Sequence, residues 1–204
     1  MKEYALDSIG QIAYNPALND LLRVHADKIV QLSLLETPVK KDLIKTIDLG
    51  PFKHTVDNGV PIRKSAFYLL QNVLGKYQIK QTEIIEAVIG GFSDSNEDVQ
   101  ILCFGFMNKL INTCPMIVIS KLDQIVEKFN LFYSKIGIKF KNNSQSEREL
   151  NLMRSILRVT EALQRNPESL SNVAFQQWFN MSILENVDIP MIRELYEKIA
   201  SSST

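Results

Sequence analysis

The stretch TIDLGPFKHTVDNG, Thr46 to Gly59, interrupts a chain whose other apolar residues recur at helical spacing. Gly50-Pro51 lies in its middle and Asp57-Asn58-Gly59 closes it. Taken as a two-residue turn, Gly50-Pro51 sets Leu49 opposite Phe52, Asp48 opposite Lys53, Ile47 opposite His54 and Thr46 opposite Thr55. Side chains alternate between the two faces of a strand. Ile47, Leu49, Phe52 and His54 therefore share one face, and Thr46, Asp48, Lys53 and Thr55 share the other. The pattern predicts an amphipathic β-hairpin near residues 44–57. Its Thr–Thr and opposite-charge pairs contribute about 0.2–1 kcal/mol each. Two readings stay open beside it. The register can slip by one residue, because Gly-Pro is not the favoured Asn-Gly turn. The stretch can also be a long inter-helix loop folded on its own repeat. A lone two-stranded hairpin is marginal in water, so this one needs something to pack on.

The text on either side is helical. Leu6, Ile9, Ile12 and Ala13 mark a first short helix. Asn15-Pro16 is a cap residue followed by a first-turn proline. It opens a second helix on Leu18, Leu21, Leu22, His25, Ile29 and Leu32, which Thr37-Pro38 closes. After the odd stretch, a helix runs from Ile62 to about Tyr77, and a shorter one carries Ile84, Ile85, Val88 and Ile89. Gly90-Gly91 sits near its end, where a positive φ is commonly wanted. Asp98 to Cys114 is apolar on almost every side, the mark of a helix buried on several sides. Met116 to Lys135 reads as one more helix, and Lys139 to Ser146 as a solvated loop. Ser146-Glu147-Arg148-Glu149 is a capping box that starts the next helix. Phe175, Trp178 and Phe179 fall on a short helix, and Ile192, Leu195 and Ile199 on a last one.

Helix pairs recur at roughly 36 to 40 residues, the period of HEAT-type repeats. Asp57–Arg63 and Asp94–Gln100 both place an acidic turn before an apolar-polar helix start. The fold class is all-α: a HEAT-type α-solenoid (an α-α superhelix) with one protruding β-hairpin. Residues 1–204 are expected to form a single C-terminal solenoid fragment of about four helix pairs, with the hairpin as an insertion near 44–57. Repeats of this kind bury their apolar faces only against neighbours. The chain therefore reads as one end of a longer solenoid. Leu6, Ile9 and Ile12 read as an exposed seam, through which the isolated end is expected to self-associate.

Composition excludes several classes. Lys plus Arg and Asp plus Glu are 23 each, so the formal net charge is zero. A nucleic-acid partner calls for a basic excess or stripe, and an anionic membrane surface for a basic cluster; the sequence has neither. No apolar run approaches the ~18 residues that span a bilayer. Cys103 and Cys114 sit in apolar text, like buried thiols of a reducing compartment. With no secretory signal, the expected location is the cytoplasm and nucleus. His25 reads as a core-edge histidine, and His54 has no second His or Cys at metal spacing. Neither a phosphate-loop pattern nor a GxSxG context is present, and no carboxylate pair is placed by spacing. The reading is a non-enzyme with no cofactor and no metal.

Several of these motifs resemble a known family. They are Asp42-Leu43-Ile44-Lys45, the run GPFKHTVDNG from Gly50 to Gly59, and Ile62-Arg63-Lys64-Ser65-Ala66-Phe67. Together they look like the C-terminal end of the cullin-associated, neddylation-dissociated proteins (the TIP120-type domain), which are long HEAT-repeat regulators of cullin–RING ubiquitin ligases. Asn112-Thr113-Cys114-Pro115, Lys121-Leu122-Asp123 and the Ser146–Arg165 helix extend the resemblance over most of the chain. Asn58 and Val60-Pro61 depart from the family pattern, and the C-terminal helices match only loosely. The resemblance implies a protein-interaction regulator acting in SCF complex assembly, within the ubl conjugation pathway. It would grip the N-terminal domain of a cullin and compete with the substrate-receptor adaptor through the hairpin, promoting receptor exchange. Carried over by position, the partner-binding residues are Ile47, Asp48, Leu49, Gly50, Pro51, Phe52, Lys53 and His54. The alternative is a generic HEAT-repeat scaffold or transport-type solenoid fragment that binds another protein.

Overall fold

The computed structural model describes the chain apart from residues 49, 51, 78, 143, 187, 188, 203 and 204, and apart from the side chains of residues 16, 19, 136 and 138. Among the described residues are eleven α-helices and one two-stranded antiparallel sheet. This is the all-α class with a single β-hairpin, the composition of a HEAT-type α-solenoid. The chain divides into two compact units, Met1–Leu102 and Cys103–Thr204.

The first unit runs through α1 (Lys2–Tyr14), a 3-10 turn at Pro16–Leu18, α2 (Asn19–Arg23) and α3 (Ala26–Glu36). A second 3-10 turn at Lys41–Leu43 leads into β1 (Ile44–Asp48) and β2 (Lys53–Asp57), followed by α4 (Val60–Val73), α5 (Gln81–Gly91) and the start of α6 (Glu97–Thr113). Helices α1 and α3 both pack on α4, and α3 also meets α5. Ala66, Phe67, Leu69, Leu70 and Val73 of α4 are buried, as are Ala13 of α1 and Ile29 and Val30 of α3. Burying a side chain of the Leu or Phe class stabilises by about 1.5–3 kcal/mol, so α4 is the apolar axis of this unit. Asn72 adds a polar tie, donating from Nδ2 to the carbonyl of Gly10 at 3.4 Å.

Four expectations change here. Leu6 is buried and Ile9 and Ile12 are half-buried, so the face expected to be an open seam is largely covered. The exposed apolar side chains nearby are Tyr4 and Tyr14 on α1 and Leu21, Val24, Leu32 and Leu35 on and between α2 and α3. The second helix is broken in two. The His25 N–H bonds back three residues to Leu22 at 3.0 Å, a tightened turn that re-aims the chain before α3 begins. Leu22 and Ile29 stay inside, whereas Leu21, His25 and Leu32 face water, so His25 is not a core-edge residue. The positive-φ glycine that ends a helix is Gly75 (φ +77), just after α4, while Gly90 and Gly91 lie within α5.

The second unit contains the rest of α6, then α7 (Pro115–Ser120), α8 (Leu122–Lys141), α9 (Glu147–Gln164), α10 (Val173–Phe179) and α11 (Pro190–Ser202). Helix α10 packs on α8, and α11 on α9. The helix read as continuous from Met116 breaks at Lys121, and α8 runs on to Lys141. It takes in the start of the expected loop, where Lys139 pairs with Glu149 of α9. The capping box is formed: Ser146 Oγ accepts from the Glu149 N–H at 3.3 Å, and Glu149 Oε2 accepts from the Ser146 N–H at 2.8 Å. An aromatic cluster fills the core. The Phe129 ring lies 4.9 Å from Trp178 and 6.2 Å from Phe104, and Tyr133 meets Trp178 edge-on at 5.5 Å. Cys103 and Cys114 are buried free thiols. Among the described residues no helix is long and apolar enough to cross a membrane.

Trp178 is the single tryptophan of the chain, so its emission reports on the second unit. Phe129→Ala, at a fully buried position against that ring, is expected to cost about 3–5 kcal/mol. Urea unfolding followed by Trp178 fluorescence measures this cost; a loss below ~1 kcal/mol would show that the cluster relaxes to fill the space.

Candidate functional site

The hairpin forms in the register that the alternation gave. Ile44 pairs with Asp57, Lys45 with Val56, Thr46 with Thr55, Ile47 with His54 and Asp48 with Lys53. Leu49 and Pro51 lie outside the described residues. Gly50 takes φ +83, a left-handed conformation that costs glycine nothing. The Asp48 Oδ1 accepts from the Gly50 N–H at 3.0 Å and closes the start of the turn.

Exposure divides the hairpin along its length. Ile44, Val56 and Asp57 at the base are half-buried, and the residues from Lys45 to Asp48 and from Phe52 to Thr55 are exposed. Phe52 is 74% and Ile47 46% exposed, and Ile47 stands across from His54. An isolated exposed apolar residue is ordinary. Two at the exposed end of one hairpin, with no helix packed broadly on either strand among the described residues, are apolar surface that folding does not require. Thr46 and Thr55 face each other on the opposite side, where Asp48 also stands across from Lys53.

The base is held differently. The Asn58 N–H donates to the Leu43 carbonyl at 3.0 Å, closing the ladder beyond its last strand pair. Asp57 then acts twice. Its Oδ1 accepts from the Gly59 N–H at 2.8 Å, and its Oδ2 accepts from Arg63 Nη2 at 2.8 Å. Arg63, on the first turn of α4, is 1% exposed. It also donates from Nε to Asp94 Oδ2 at 2.8 Å and from Nη2 to Asp94 Oδ1 at 3.0 Å. Asp94 lies in the turn between α5 and α6 and accepts from the Asn96 N–H at 2.8 Å. The Arg63 guanidinium holds the Asp57 carboxyl below its ordinary pKa, against the opposing effect of partial burial, and the Gly59 N–H adds to the lowering.

Of the eight residues assigned to the partner face, six are described, and all six lie at the exposed end of the hairpin. The sequence reading missed Arg63. The signal for it was present in the two acidic turns, Asp57 and Asp94, which the structure brings onto the same guanidinium. Among the described residues no group of three or more His, Cys, Asp or Glu side chains is placed to hold a metal ion.

Comparison with known proteins adds the following. The model of the TIP120 family, described as TATA-binding protein interacting (TIP20), matches residues 21–182. The "Cullin-associated NEDD8-dissociated protein 2" of Mus musculus is 31% identical over 199 residues, which is 93% of this chain and 16% of the relative. The "Cullin-associated NEDD8-dissociated protein 1" of Drosophila melanogaster is 30% identical over 198 residues, again 93% of this chain and 16% of the relative. A protein of Emericella nidulans named "Cullin-associated NEDD8-dissociated protein 1, C-terminal part" is 27% identical over 166 residues, 79% of this chain and 15% of its own length. The chain thus spans about a sixth of the length of these curated relatives.

The Asp57 geometry sets a pH dependence. Its folded pKa lies below the unfolded one, so its contribution is fully present above ~3.9 and lost as pH falls through the folded value. Asp57→Asn is therefore expected to lower the melting temperature of the first unit at about pH 7, with the deficit shrinking below about pH 4. Thermal melts of both proteins across that range check it; a deficit that grows on acidification would reverse the sign.

Proposed function

We propose a function from one premise: the chain belongs to the TIP120 family. On that footing it is a protein-interaction regulator of cullin–RING ubiquitin ligases. It binds the N-terminal domain of a cullin and competes there with the substrate-receptor adaptor through the hairpin, so that receptors exchange. The observation that carries this reading is the hairpin itself. It presents Ile47 and Phe52 to solvent at its exposed end, on a chain whose relatives are named for association with cullins. The residues Ile47, Asp48, Leu49, Gly50, Pro51, Phe52, Lys53 and His54 are the proposed contact surface. The role is non-enzymatic, and the proposed location is the cytoplasm and nucleus.

The same chain has a second apolar surface. Leu32 and Leu35 are exposed one turn apart on α3, Val24 is exposed in the turn before it and Leu21 on α2. We propose that two copies of the isolated chain associate through this surface. Sedimentation should then show a concentration-dependent dimer that Leu32→Lys/Leu35→Lys returns to monomer. A monomer at all concentrations would refute the pairing.

The cullin reading is tested by Ile47→Asp/Phe52→Asp. Both side chains are at the exposed end of the hairpin, so the fold should persist by circular dichroism. Loss of a desolvated anchor costs at least about 2 kcal/mol, or roughly 30-fold in affinity. Titration calorimetry against a recombinant cullin N-terminal domain reads the first half, and displacement of a labelled adaptor reads the second. Wild-type affinity and undiminished displacement by the folded double variant would make the hairpin a structural loop and leave a generic helical scaffold as the better description.

A further inference from the structure

We propose that Arg63 is a positioning residue: it fixes the direction in which the hairpin leaves the helices by gripping the end of β2 and the α5–α6 turn together. The consequence for binding rests on the cullin reading above; the geometric part does not.

The direction of the hairpin is decided at its base. Neither strand packs broadly on a helix among the described residues, and only Ile44, Val56 and Asp57 of the strands are drawn partly inside. Asp57 is the last residue of β2, and Asn58 and Gly59 alone separate it from α4. Each carboxylate in the network is held from two sides. Asp57 takes the Gly59 N–H and Arg63; Asp94 takes the Asn96 N–H and the Nε and Nη2 of Arg63. Neither aspartate can rotate without giving up a backbone bond, so the guanidinium joins two fixed points rather than two mobile side chains.

The two turns are equivalent. Asp57 precedes Arg63 by six residues, and Asp94 precedes Gln100 by six. In both, the aspartate accepts the N–H two residues on. In both, the residue six on reaches back, Arg63 to the Asp57 side chain and Gln100 Nε2 to the Asp94 carbonyl. Gln100 stays within its own turn, whereas Arg63 spans from its own turn to the next. The turn it anchors is the one that ends the hairpin. Lys64 is the control that nature supplies beside it: it approaches Asp98 at 3.9 Å, with its own side chain half-buried and the carboxylate open to water.

Gly59 belongs to the same device. Its φ of −81 suits any residue. A Cβ there, however, would stand 2.9 Å from Arg63 Nη1 and 3.0 Å from Asp57 Oδ1. Any side chain there would press on the guanidinium and the carboxylate. Leverage makes the base matter. Five residues of strand extend roughly 17 Å, so a swing of about 10° at Asp57 carries the tip about 3 Å.

Spin labels on Thr46→Cys, on the polar hairpin face, and Thr82→Cys, on α5, test this in the full chain; Cys103 and Cys114 are buried and leave the labels to the introduced thiols. Pulsed electron resonance should give a narrow distance distribution in the parent. Arg63→Lys keeps the charge but not the planar fork. Asp57→Asn keeps the Arg63–Asp94 pair, removes the charge and must turn an amide donor toward either the guanidinium or the Gly59 N–H. Both should shift or broaden the distribution with helical content unchanged, while Lys64→Ala leaves it as it was. Affinity for the recombinant cullin N-terminal domain should fall about tenfold in the two network variants. An unaltered distribution in folded Arg63→Lys and Asp57→Asn overturns the positioning role; if Arg63→Lys does not fold, Asp57→Asn alone decides it. A reoriented hairpin with unchanged cullin affinity upholds the positioning role and refutes the binding reading instead.

Discussion

A charge withdrawn from water must be met by opposite charge, and Arg63 is 1% exposed, its Nε and Nη2 donating to Asp57 and Asp94 while its buried Nη1 has no hydrogen-bond partner among the described residues. That requirement organises the middle of the first unit. It brings the end of β2, the first turn of α4 and the α5–α6 turn to one point through Asp57 and Asp94. The value of such a network is geometric more than energetic. Removing one partner of a buried pair costs about 3–5 kcal/mol, yet replacing a whole pair by well-packed apolar groups is often neutral. Bulk stability comes instead from α4, whose Ala66, Phe67, Leu69, Leu70 and Val73 sit under α1 and α3. Apolar contact of that kind is non-directional. Charge-assisted bonds to a planar fork are directional, and an element that hangs from the helices by its base needs direction.

This division explains why the hairpin tip is free. The residues that hold the unit together are on helices, and those that hold the hairpin are at residues 57, 59, 63 and 94. Ile47 and Phe52 contribute to neither. Exposing them carries a solubility cost with no return in folding, which makes them the natural place to look for a partner surface.

The parts legible in the sequence were those with a local period. Alternation across Gly50-Pro51 identified the hairpin; its register stayed open to a one-residue slip, which would have put His54 on the face opposite Ile47, because Gly-Pro is a weak register signal, and the pairing formed is the unslipped one. Helical spacing gave the class, and Ser146 with Glu149 gave the start of α9. The breaks at His25 and Lys121 were not legible: neither carries a Pro or Gly, and at each the backbone N–H bonds back three residues instead of four. Leu6 was misread because its cover, α4, lies far along the chain. The Arg63–Asp94 pair is separated by 31 residues. The paired acidic turns hinted at a repeat, but a repeat does not say which cation its acids will share.

A two-stranded hairpin is marginal in water by itself, and here the described residues of its outer half are exposed. What sustains it is the ladder closed beyond its ends, by Asp48 to Gly50 on the tip side and Asn58 to Leu43 on the base side, with Asp57 clamped beneath. The strands are thus ordered before any partner arrives. Ordering a loop or side chain at an interface subtracts from affinity, at about 0.5–1.5 kcal/mol for each mobile side chain fixed. A ribbon already in register and already aimed avoids much of that cost, so a contact surface as small as one hairpin face can act as an anchor. The rigidity has to be at the base and the apolar surface at the tip, because one group cannot be both buried for orientation and exposed for recognition. Arg63 and Phe52 stand at the two ends of that separation.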